Sequence, residues 1–262
     1  MNAPTVALSH RKATRYVTPL REGGSLPAVI ETDTGELVVV KFRGAGQGTR
    51  ALIAELVAGQ VALALGLRVP TLMLLEVDDA LGINERDEEI RDLLRASHGT
   101  NLATGYLAGA LNFEASERER VEGSEASRIV VFDAYVMNVD RTARNPNLMW
   151  HAEALWLIDH GASMIWHHDW DGTTTGSDRK FGFTQQHVLL PVASEIPAAA
   201  EHLRHTLDDA RLAAITGLIP ADWLDPAKGV EPQREAYAAY LRARRDAAAS
   251  FVQEALRARA SL

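Results

Sequence analysis

Three oxygen-bearing side chains follow apolar segments in the middle of the chain, where a fold could hold them in fixed positions. Asp140 and Asn145 lie in the polar loop 138–147 after an apolar run, and Asp159 follows the short apolar segment 154–158. Mg²⁺ prefers hard oxygen ligands, usually one or two carboxylates together with the phosphates of a substrate. A further carboxylate can orient or deprotonate a hydroxyl that attacks phosphorus. The pattern therefore indicates Mg²⁺-dependent phosphate chemistry.

Loop structure alone is the competing explanation for these residues. Asp and Asn are common in loops because both tolerate left-handed backbone and bond to their own turns. Two nearby residues also compete for the same roles, since Asn147 is a second carboxamide and Asp133 an acid in the preceding apolar run. Asn145 is favoured because it has the five-residue spacing from Asp140, and because Pro146 biases its backbone away from helical geometry.

The upstream half of the chain supplies a cation that could bind phosphate. Lys41 lies in the β-branched run 36–42, so its aliphatic stem must lie among apolar side chains. A strand-end lysine that merely extends to solvent is the ordinary alternative. The next helix is predicted over residues 49–65, and Glu55 is its only carboxylate. Because an unpaired carboxylate among so many apolar neighbours would be costly, we expect Glu55 to pair with Lys41.

The first part of the chain is predicted to form a three-stranded antiparallel meander, over residues 16–20, 26–31 and 36–42. The turn between the first two strands contains Gly23, Gly24 and Ser25. Glycines allow backbone N–H groups to approach anionic oxygens, but tight hairpins favour such a turn without any ligand. Phosphate binding is therefore one of two interpretations of this turn.

Composition excludes several classes of protein. With 262 residues, 47% hydrophobic and 24% charged, the chain resembles an ordinary soluble globular protein. The net charge of −8 argues against general nucleic-acid binding. The absence of cysteine excludes disulfide scaffolds, thiolate zinc sites and cysteine nucleophiles. No apolar run is long enough to span a membrane and no signal pattern is visible, so we expect no membrane association and a cytoplasmic location.

A buried strand is predicted over residues 69–77, a strand followed by glycine over residues 103–109, and a hairpin of the short apolar segments 148–150 and 154–158. The charged block 78–95 is interpreted as a loop followed by a solvated helix. A largely apolar helix over residues 124–137 is expected to be central to the second half. Residues 1–13 are polar and expected to be loosely held. Further helices are predicted over residues 198–207, 208–218, 221–224 and 232–260.

Taken in chain order, these segments resemble the motifs of the HipA-like kinase family, within the protein-kinase-like superfamily. The resemblance spans roughly residues 20–165 and is architectural beyond them. The segments that carry it are Gly23-Gly24-Ser25, Val39-Val40-Lys41-Phe42, the helix with Glu55, Gly105-Tyr106-Leu107, Asp140-Arg141-Thr142-Ala143-Arg144-Asn145 and Ile158-Asp159-His160-Gly161.

The resemblance implies a bilobal α+β fold of the protein-kinase-like type. Residues 1–107 would form an N-lobe with a small antiparallel β-sheet and one helix. Residues 108–262 would form a mostly helical C-lobe that carries the catalytic and metal-binding loops. By matching positions, Asp140 would be the catalytic base, and Asn145 and Asp159 would be the Mg²⁺ ligands.

The same resemblance implies ATP as the nucleotide, bound by the N-lobe. Lys41 would contact its phosphates, Glu55 would hold Lys41, and the turn 23–25 would lie over the phosphates. The adenine would face backbone groups of a hinge, although a plain strand end explains that segment nearly as well. The hinge residues are Tyr106, Leu107 and Ala108.

The implied reaction transfers the γ-phosphoryl group of ATP to a hydroxyl, which we expect to belong to a protein serine or threonine. The chain departs from the protein-kinase pattern at two places, with Asn138-Val139 before Asp140 and His160 after Asp159. The oxygen ligands are unaffected by both changes. A small-molecule kinase and a non-catalytic nucleotide-binding module, either a pseudokinase or a toxin–antitoxin partner, are the alternatives.

A metal-dependent hydrolase is a further alternative, because His167, His168 and Asp169 lie next to one another. Two histidines and a carboxylate could bind a transition metal. Adjacent histidines on a strand face opposite sides, however, so one ion rarely takes both. Trp166 and Trp170 in the same segment are interpreted as packing anchors.

Overall fold

The computed structural model describes residues 8–20, 26–46, 48–83 and 85–262, so the predicted phosphate turn with Gly23, Gly24 and Ser25 lies outside the described residues. Five strands form a closed barrel in the order β1-β2-β3-β5-β4. Their bounds are β1 (Ser9–Pro19), β2 (Ala28–Thr32), β3 (Leu37–Lys41), β4 (Leu72–Val77) and β5 (Gly99–Gly105).

The first three strands pair antiparallel, so the predicted meander is confirmed. β1 begins earlier than predicted, because Ser9 to Lys12 pair in parallel with Met73 to Glu76 of β4 and thereby close the barrel. The prediction of loosely held residues 1–13 is therefore wrong for residues 9–13. The partner strand is more than sixty residues away, and a local pattern carries no sign of it.

The helix α1 (Thr49–Ala64) lies between the barrel and the helical part of the chain. Every residue from Leu52 to Ala62 is buried, Glu55 included. Apolar side chains on all sides are typical of a helix with packing partners on all sides. The preceding loop passes close to the end of α2 (Glu88–Ala96), and a Cβ at Gly44 would lie 2.7 Å from the Ala96 carbonyl carbon. Only glycine allows this approach.

The helix α3 (Gly123–Val136) is buried from Ile129 to Val136 and is central to the second half, as predicted. It ends with Met137 in left-handed backbone, at φ 56°. A second antiparallel sheet lies beside it, formed by β6 (Leu111–Asn112), β7 (Leu148–His151) and β8 (Ala154–Leu157). The hairpin of β7 and β8 delivers the loop that contains Asp159.

Four helices follow: α4 (Ile196–Thr206), α5 (Asp209–Gly217), α6 (Val230–Asp246) and α7 (Ala249–Ala260). The prediction of one helix over residues 232–260 is wrong, because the chain turns between α6 and α7. Residues 247–249 are all alanine, which favours helix on its own. The turn allows Arg244 of α6 and Phe251 of α7 both to be fully buried, so packing overrides propensity.

The segment between β8 and α4 contains short 3₁₀ helices, over Ile165–Asp169, Gly182–Gln186 and Leu190–Val192. Trp166 stacks on Tyr240 of α6 with ring centroids 3.7 Å apart and contacts the edge of Trp170. Both tryptophans therefore act as packing anchors. In the part of the chain that the structure describes, no helix has both the length and the apolar composition needed to cross a membrane.

Candidate active site

Lys41 lies at the end of β3, where its ammonium contacts two carboxylates from distant parts of the chain. Lys41 Nζ is 2.5 Å from Glu55 Oε2 and 2.5 Å from Asp159 Oδ1. The Lys41 side chain is 16% exposed, that of Glu55 2% and that of Asp159 44%. The expected pair of Lys41 and Glu55 is present, and the side of the ammonium that faces Asp159 opens towards solvent.

The charges of this cluster stabilise one another. Burial alone would raise the pKa of Glu55, but the Lys41 ammonium and the contact with His160 outweigh it and hold that pKa well below its usual range. Burial would lower the pKa of Lys41, whereas Glu55 and Asp159 together raise it. Both groups are therefore charged at neutral pH. A fixed ammonium of this kind is suited to binding anionic oxygens.

The loop after β8 is held against α1 by its backbone. The His160 N–H donates to Glu55 Oε2 at 2.6 Å, and the His160 ring is fully buried. A Cβ at Gly161 would lie 3.5 Å from Asp159 Oδ1 and 3.6 Å from Lys41 Nζ. A methyl group at this position would therefore make ordinary contact with the ion pair, and Gly161 adds no bulk there.

Asp140 and Asn145 lie together in the loop after α3. Asn145 Nδ2 donates to Asp140 Oδ2 at 2.8 Å, and Asn147 Nδ2 lies 3.3 Å from the same oxygen. A carboxylate only accepts hydrogen bonds, so the amide nitrogen of Asn145 must face it. Asn145 Oδ1 is consequently directed away from Asp140. A carboxamide oxygen such as this one and a carboxylate such as that of Asp159 are both hard oxygen donors, the chemical type that Mg²⁺ prefers.

The hairpin of β7 and β8 connects the two loops. Its ladder continues beyond the strands, where the Ile158 N–H donates to the Asn147 carbonyl at 3.0 Å. Asn147, whose side chain contacts Asp140, is thus paired with the residue immediately before Asp159. Asp159 has left-handed backbone at φ 52°. This conformation is uncommon outside glycine and favours Asn and Asp, and it turns the chain towards Lys41.

A buried hydrogen-bond network around Arg141 holds the loop with Asp140 against α3. This network was not predicted from the sequence. Arg141 Nε donates to Asp133 Oδ2 at 2.6 Å, and the two side chains are 0% and 1% exposed. Another nitrogen of the same guanidinium donates to the Asn147 carbonyl and, at 3.5 Å, to the Ile158 carbonyl. Arg141 therefore ties α3, the loop with Asp140 and the end of the hairpin together.

Asp133 is the acceptor at the centre of this network. His187 Nδ1 accepts from the Leu189 N–H at 3.0 Å, so Nε2 must carry the proton that it donates to Asp133 at 2.9 Å. Burial would raise the pKa of Asp133, but Arg141 and His187 outweigh it and lower that pKa. Asp133 is consequently a structural anion and does not compete with Asp140. The sequence signal for this role is its charge within the otherwise apolar second half of the helix, residues 129–136.

Directly after β5 lie the predicted hinge residues, Tyr106, Leu107 and Ala108. β5 pairs with β3 so that Leu102 is opposite Lys41, and the Tyr106 N–H donates to the Leu37 carbonyl at 3.1 Å. At about 3.3 Å per residue, the hinge is about 13 Å from the level of Lys41 along the strands. The segment and the ammonium therefore occupy opposite ends of the same strand pair.

The histidine cluster has a different environment from the one that the hydrolase alternative requires. His167 and His168 lie on a 3₁₀ helix and not on a strand, and His167 is 2% exposed. Burial, with the charges of His168 and Arg50, lowers the pKa of His167 to about 3. Within the described ranges, no group of three or more His, Cys, Asp or Glu side chains is arranged to hold a metal ion. The structure gives this alternative no support.

Solved structures place the fold in the kinase-like class. The proinflammatory kinase CtkA of Helicobacter pylori aligns with a TM-score of 0.56 at 12% identity, covering 95% of this chain and 99% of that one. The Golgi casein kinase aligns with a TM-score of 0.50 at 10% identity, covering 94% and 73%. At these identities the likeness shows the fold alone, and it confirms a kinase-like α+β architecture.

The sequence itself defines the family. A family model described as HipA-like kinase matches residues 14–245, and the chain belongs to this family. The resemblance inferred from the motifs is therefore confirmed and extends well beyond residue 165. No curated protein matches the sequence.

Proposed function

We propose that the chain is a Mg²⁺-ATP-dependent phosphotransferase that transfers the γ-phosphoryl group to a hydroxyl of a protein serine or threonine. The observation that carries the proposal is the position of the Lys41 ammonium between Glu55 and Asp159. In kinases such a lysine and glutamate must pair, and a carboxylate at the position of Asp159 holds the metal. Membership of a kinase family supports the same chemistry.

The nucleotide would lie in the cleft between an N-lobe of residues 1–107 and a C-lobe of residues 108–262. The adenine would face backbone groups of residues 106–108, and the phosphates would reach Lys41 at the other end of the strand pair. Asn145 Oδ1 and Asp159 would hold Mg²⁺. When bound, the ion would neutralise charge on the phosphates. The Lys41 ammonium, whose side facing the partly exposed Asp159 opens towards solvent, supports a phosphate at this position.

The acceptor hydroxyl would approach Asp140, which orients it and accepts its proton. A shallow depression of about 430 Å³ lies on the loop beside Asp140, lined by Thr142, Ala143, Arg144 and Gln186. It is open to solvent and large enough for several side chains of an extended peptide. An extended protein segment, the acceptor that we propose, could lie in a depression of this open shape.

The direct test is transfer of label from γ-labelled ATP with Mg²⁺, first to the protein itself and then to a general protein acceptor. Mass spectrometry would locate the phosphate. We expect label on serine or threonine in the wild type and its loss in Asp140→Ala. Asp92→Asn serves as the matched control, because Asp92 is an exposed carboxylate on the solvated helix α2. Equal transfer by Asp140→Ala and the wild type would contradict the proposal.

The same assay distinguishes the non-catalytic alternative. Stabilisation of the wild type by Mg²⁺-ATP in a thermal-shift measurement, without transfer of label to any acceptor, would indicate a nucleotide-binding module. Label on a small alcohol but on no protein would indicate a small-molecule kinase. Either result would replace the proposed substrate class.

A further inference from the structure

The connection between α5 and α6 leaves the helical part of the chain and contacts both the barrel and α1. Its short 3₁₀ helix Ala221–Trp223 carries the contacts. The Trp223 indole N–H donates to the Thr100 carbonyl of β5 at 2.8 Å. The Trp223 carbonyl accepts from Thr49 Oγ1 at 3.1 Å. Thr49 is the first residue of α1, and Trp223 is 4% exposed, so these bonds are largely shielded from water.

Asp222, the residue before Trp223, holds the end of β3 through Arg43. Arg43 Nη1 donates to Asp222 Oδ2 at 2.6 Å, and Nη2 donates to the Asp222 carbonyl at 3.1 Å. Arg43 follows Lys41 by two residues, and its backbone N–H is fixed by Asn101 Oδ1 at 2.8 Å. A guanidinium with two acceptors on one residue has a defined direction. The connection therefore fixes the chain immediately after Lys41.

The helical part also holds α1 at other points. Arg50 donates to the His168 carbonyl near the start of the helix. At the other end, His202 Nε2 of α4 lies 3.2 Å from the Leu65 carbonyl. Glu55 lies six residues after Thr49, about 9 Å along the helix axis. A rotation or shift of α1 that withdrew Glu55 from Lys41 would break contacts at both ends of the helix.

We propose that Asp222 and Trp223 form a clamp that positions both members of the Lys41–Glu55 pair from outside the cleft. Trp223 fixes the start of α1, which carries Glu55, and Asp222 fixes the end of β3, which carries Lys41. In this structure the pair is consequently held together by contacts that lie outside the cleft. The catalytic part of this inference rests on the proposed function. Asp222 and Trp223 are positioning residues, since neither contacts the reacting groups.

Hydrogen exchange measured by mass spectrometry tests the clamp without reference to activity. Asp222→Ala removes a partly exposed ion pair, and Trp223→Phe removes the indole donor while keeping an aromatic ring. We expect peptides covering residues 49–56 to exchange about 2- to 5-fold faster in both variants. Arg15→Ala is the matched control, because it removes an exposed barrel ion pair with Glu31 that is not part of the clamp.

Kinetics and rescue separate positioning from simple stability. We expect kcat for transfer to fall about 3- to 10-fold in Asp222→Ala, because a small displacement of the Lys41 ammonium in every molecule misaligns the reacting groups. The double variant Arg43→Glu, Asp222→Arg should restore part of both kcat and the exchange protection. Because the swapped pair would also restore stability, the free energy of unfolding of each variant is measured alongside, and positioning predicts that kcat falls in Asp222→Ala even where the protein is fully folded.

Two results would overturn the clamp: unchanged exchange of residues 49–56, or equally faster exchange throughout the chain. Faster exchange confined to α1 and the end of β3, in a protein whose wild type transfers no phosphate, would support the clamp and contradict the proposed function. Failure of the clamp and failure of the proposed function can therefore be distinguished.

Discussion

Asp140 is half-buried, and its carboxylate is oriented by two carboxamides and one backbone contact. Asn145 and Asn147 donate to the same oxygen, Oδ2, and the Asp140 N–H donates to Asn138 Oδ1 at 3.0 Å. These contacts hold Oδ2, and they therefore also fix the position of the other carboxylate oxygen, Oδ1. In the proposed mechanism, a base held in this way needs little reorganisation when the acceptor hydroxyl arrives.

Asp140→Asn should remove the proposed proton acceptor while keeping the shape of the side chain. We expect kcat to fall about 100- to 10,000-fold, the usual contribution of a positioned base, and nucleotide affinity to stay within about 2-fold. Steady-state transfer assays and nucleotide titration would measure the two quantities. A comparable loss of nucleotide affinity and of kcat would instead assign Asp140 to nucleotide binding.

His167 should make the protein less stable in weak acid. Its folded pKa of about 3 lies below the unfolded value of 6.5, so the unfolded state binds the proton first as the pH falls. Each pH unit below 6.5 therefore removes about 1.4 kcal/mol of stability. The free energy of unfolding from urea titration should drop by about 2 kcal/mol between pH 6.5 and pH 5 through this residue.

His167→Phe isolates this effect, because it keeps an aromatic ring and removes the titrating group. The lowered pKa values of Glu55 and Asp133 contribute stability that is lost only as the pH falls below about 4.5, outside this window. His168, whose pKa is lowered by burial and by Arg50, contributes a smaller part. His205→Gln is the control at an exposed position. An unchanged pH slope in His167→Phe would contradict the assignment.

Charged residues within apolar segments could be recognised from the sequence alone as candidates for a function or a buried ion pair. Lys41 and Glu55 could be paired because a lone carboxylate in an apolar helix needs a cation. Asp133 could not be assigned in the same way, because Arg141 was interpreted as part of the loop motif with Asp140, and because His187 lies 54 residues away. Charge within an apolar segment shows that a partner exists, and only the fold shows which one.

At the scale of elements, Arg141 connects α3 to the loop with Asp140 and to the end of the β7–β8 hairpin. Its guanidinium uses several donors in fixed directions, which a lysine ammonium cannot reproduce. Arg141→Lys should therefore leave buried acceptors without donors, including Asp133. We expect the free energy of unfolding to fall by about 3 kcal/mol, with a loss of transfer activity in the protein that remains folded. Urea unfolding and transfer assays at low temperature would measure both.

The same substitution at Arg144 provides the control for stability, because this arginine is exposed in the same loop. We expect Arg144→Lys to change the free energy of unfolding by less than about 0.5 kcal/mol. If the two variants unfold at the same urea concentration, the buried network does not hold the loop.

Element types were largely predictable, and their ends were not. The meander, α1 and α3 follow from apolar periodicity and β-branched runs, which are local properties. The first residues of β1 depend on a parallel partner in β4, and the turn between α6 and α7 depends on the burial of Arg244 and Phe251. Both features are set by contacts between distant segments, so no window of sequence contains them.

At the scale of the whole molecule, the barrel carries the Lys41 ammonium of the proposed site, and the second half of the chain carries its proposed oxygen donors, Asn145 and Asp159. α1 is packed between them, and the clamp of Asp222 and Trp223 spans the same junction. The sequence predicted that these halves meet at Lys41. It did not predict the connection between α5 and α6 as a second contact, because the residues of the clamp are ordinary loop residues.

The most direct test of the account is calorimetric titration with a non-hydrolysable ATP analogue, with and without Mg²⁺. The wild type, Lys41→Met and Asp159→Asn would be compared, with Asp92→Asn as the control. We predict that Mg²⁺ strengthens binding to the wild type and that each substitution weakens binding of the Mg²⁺ complex by about 10-fold or more. The Mg²⁺ effect should disappear in Asp159→Asn. Wild-type affinity in both variants, or no binding by the wild type, would contradict the claim that Lys41 and Asp159 meet at one triphosphate.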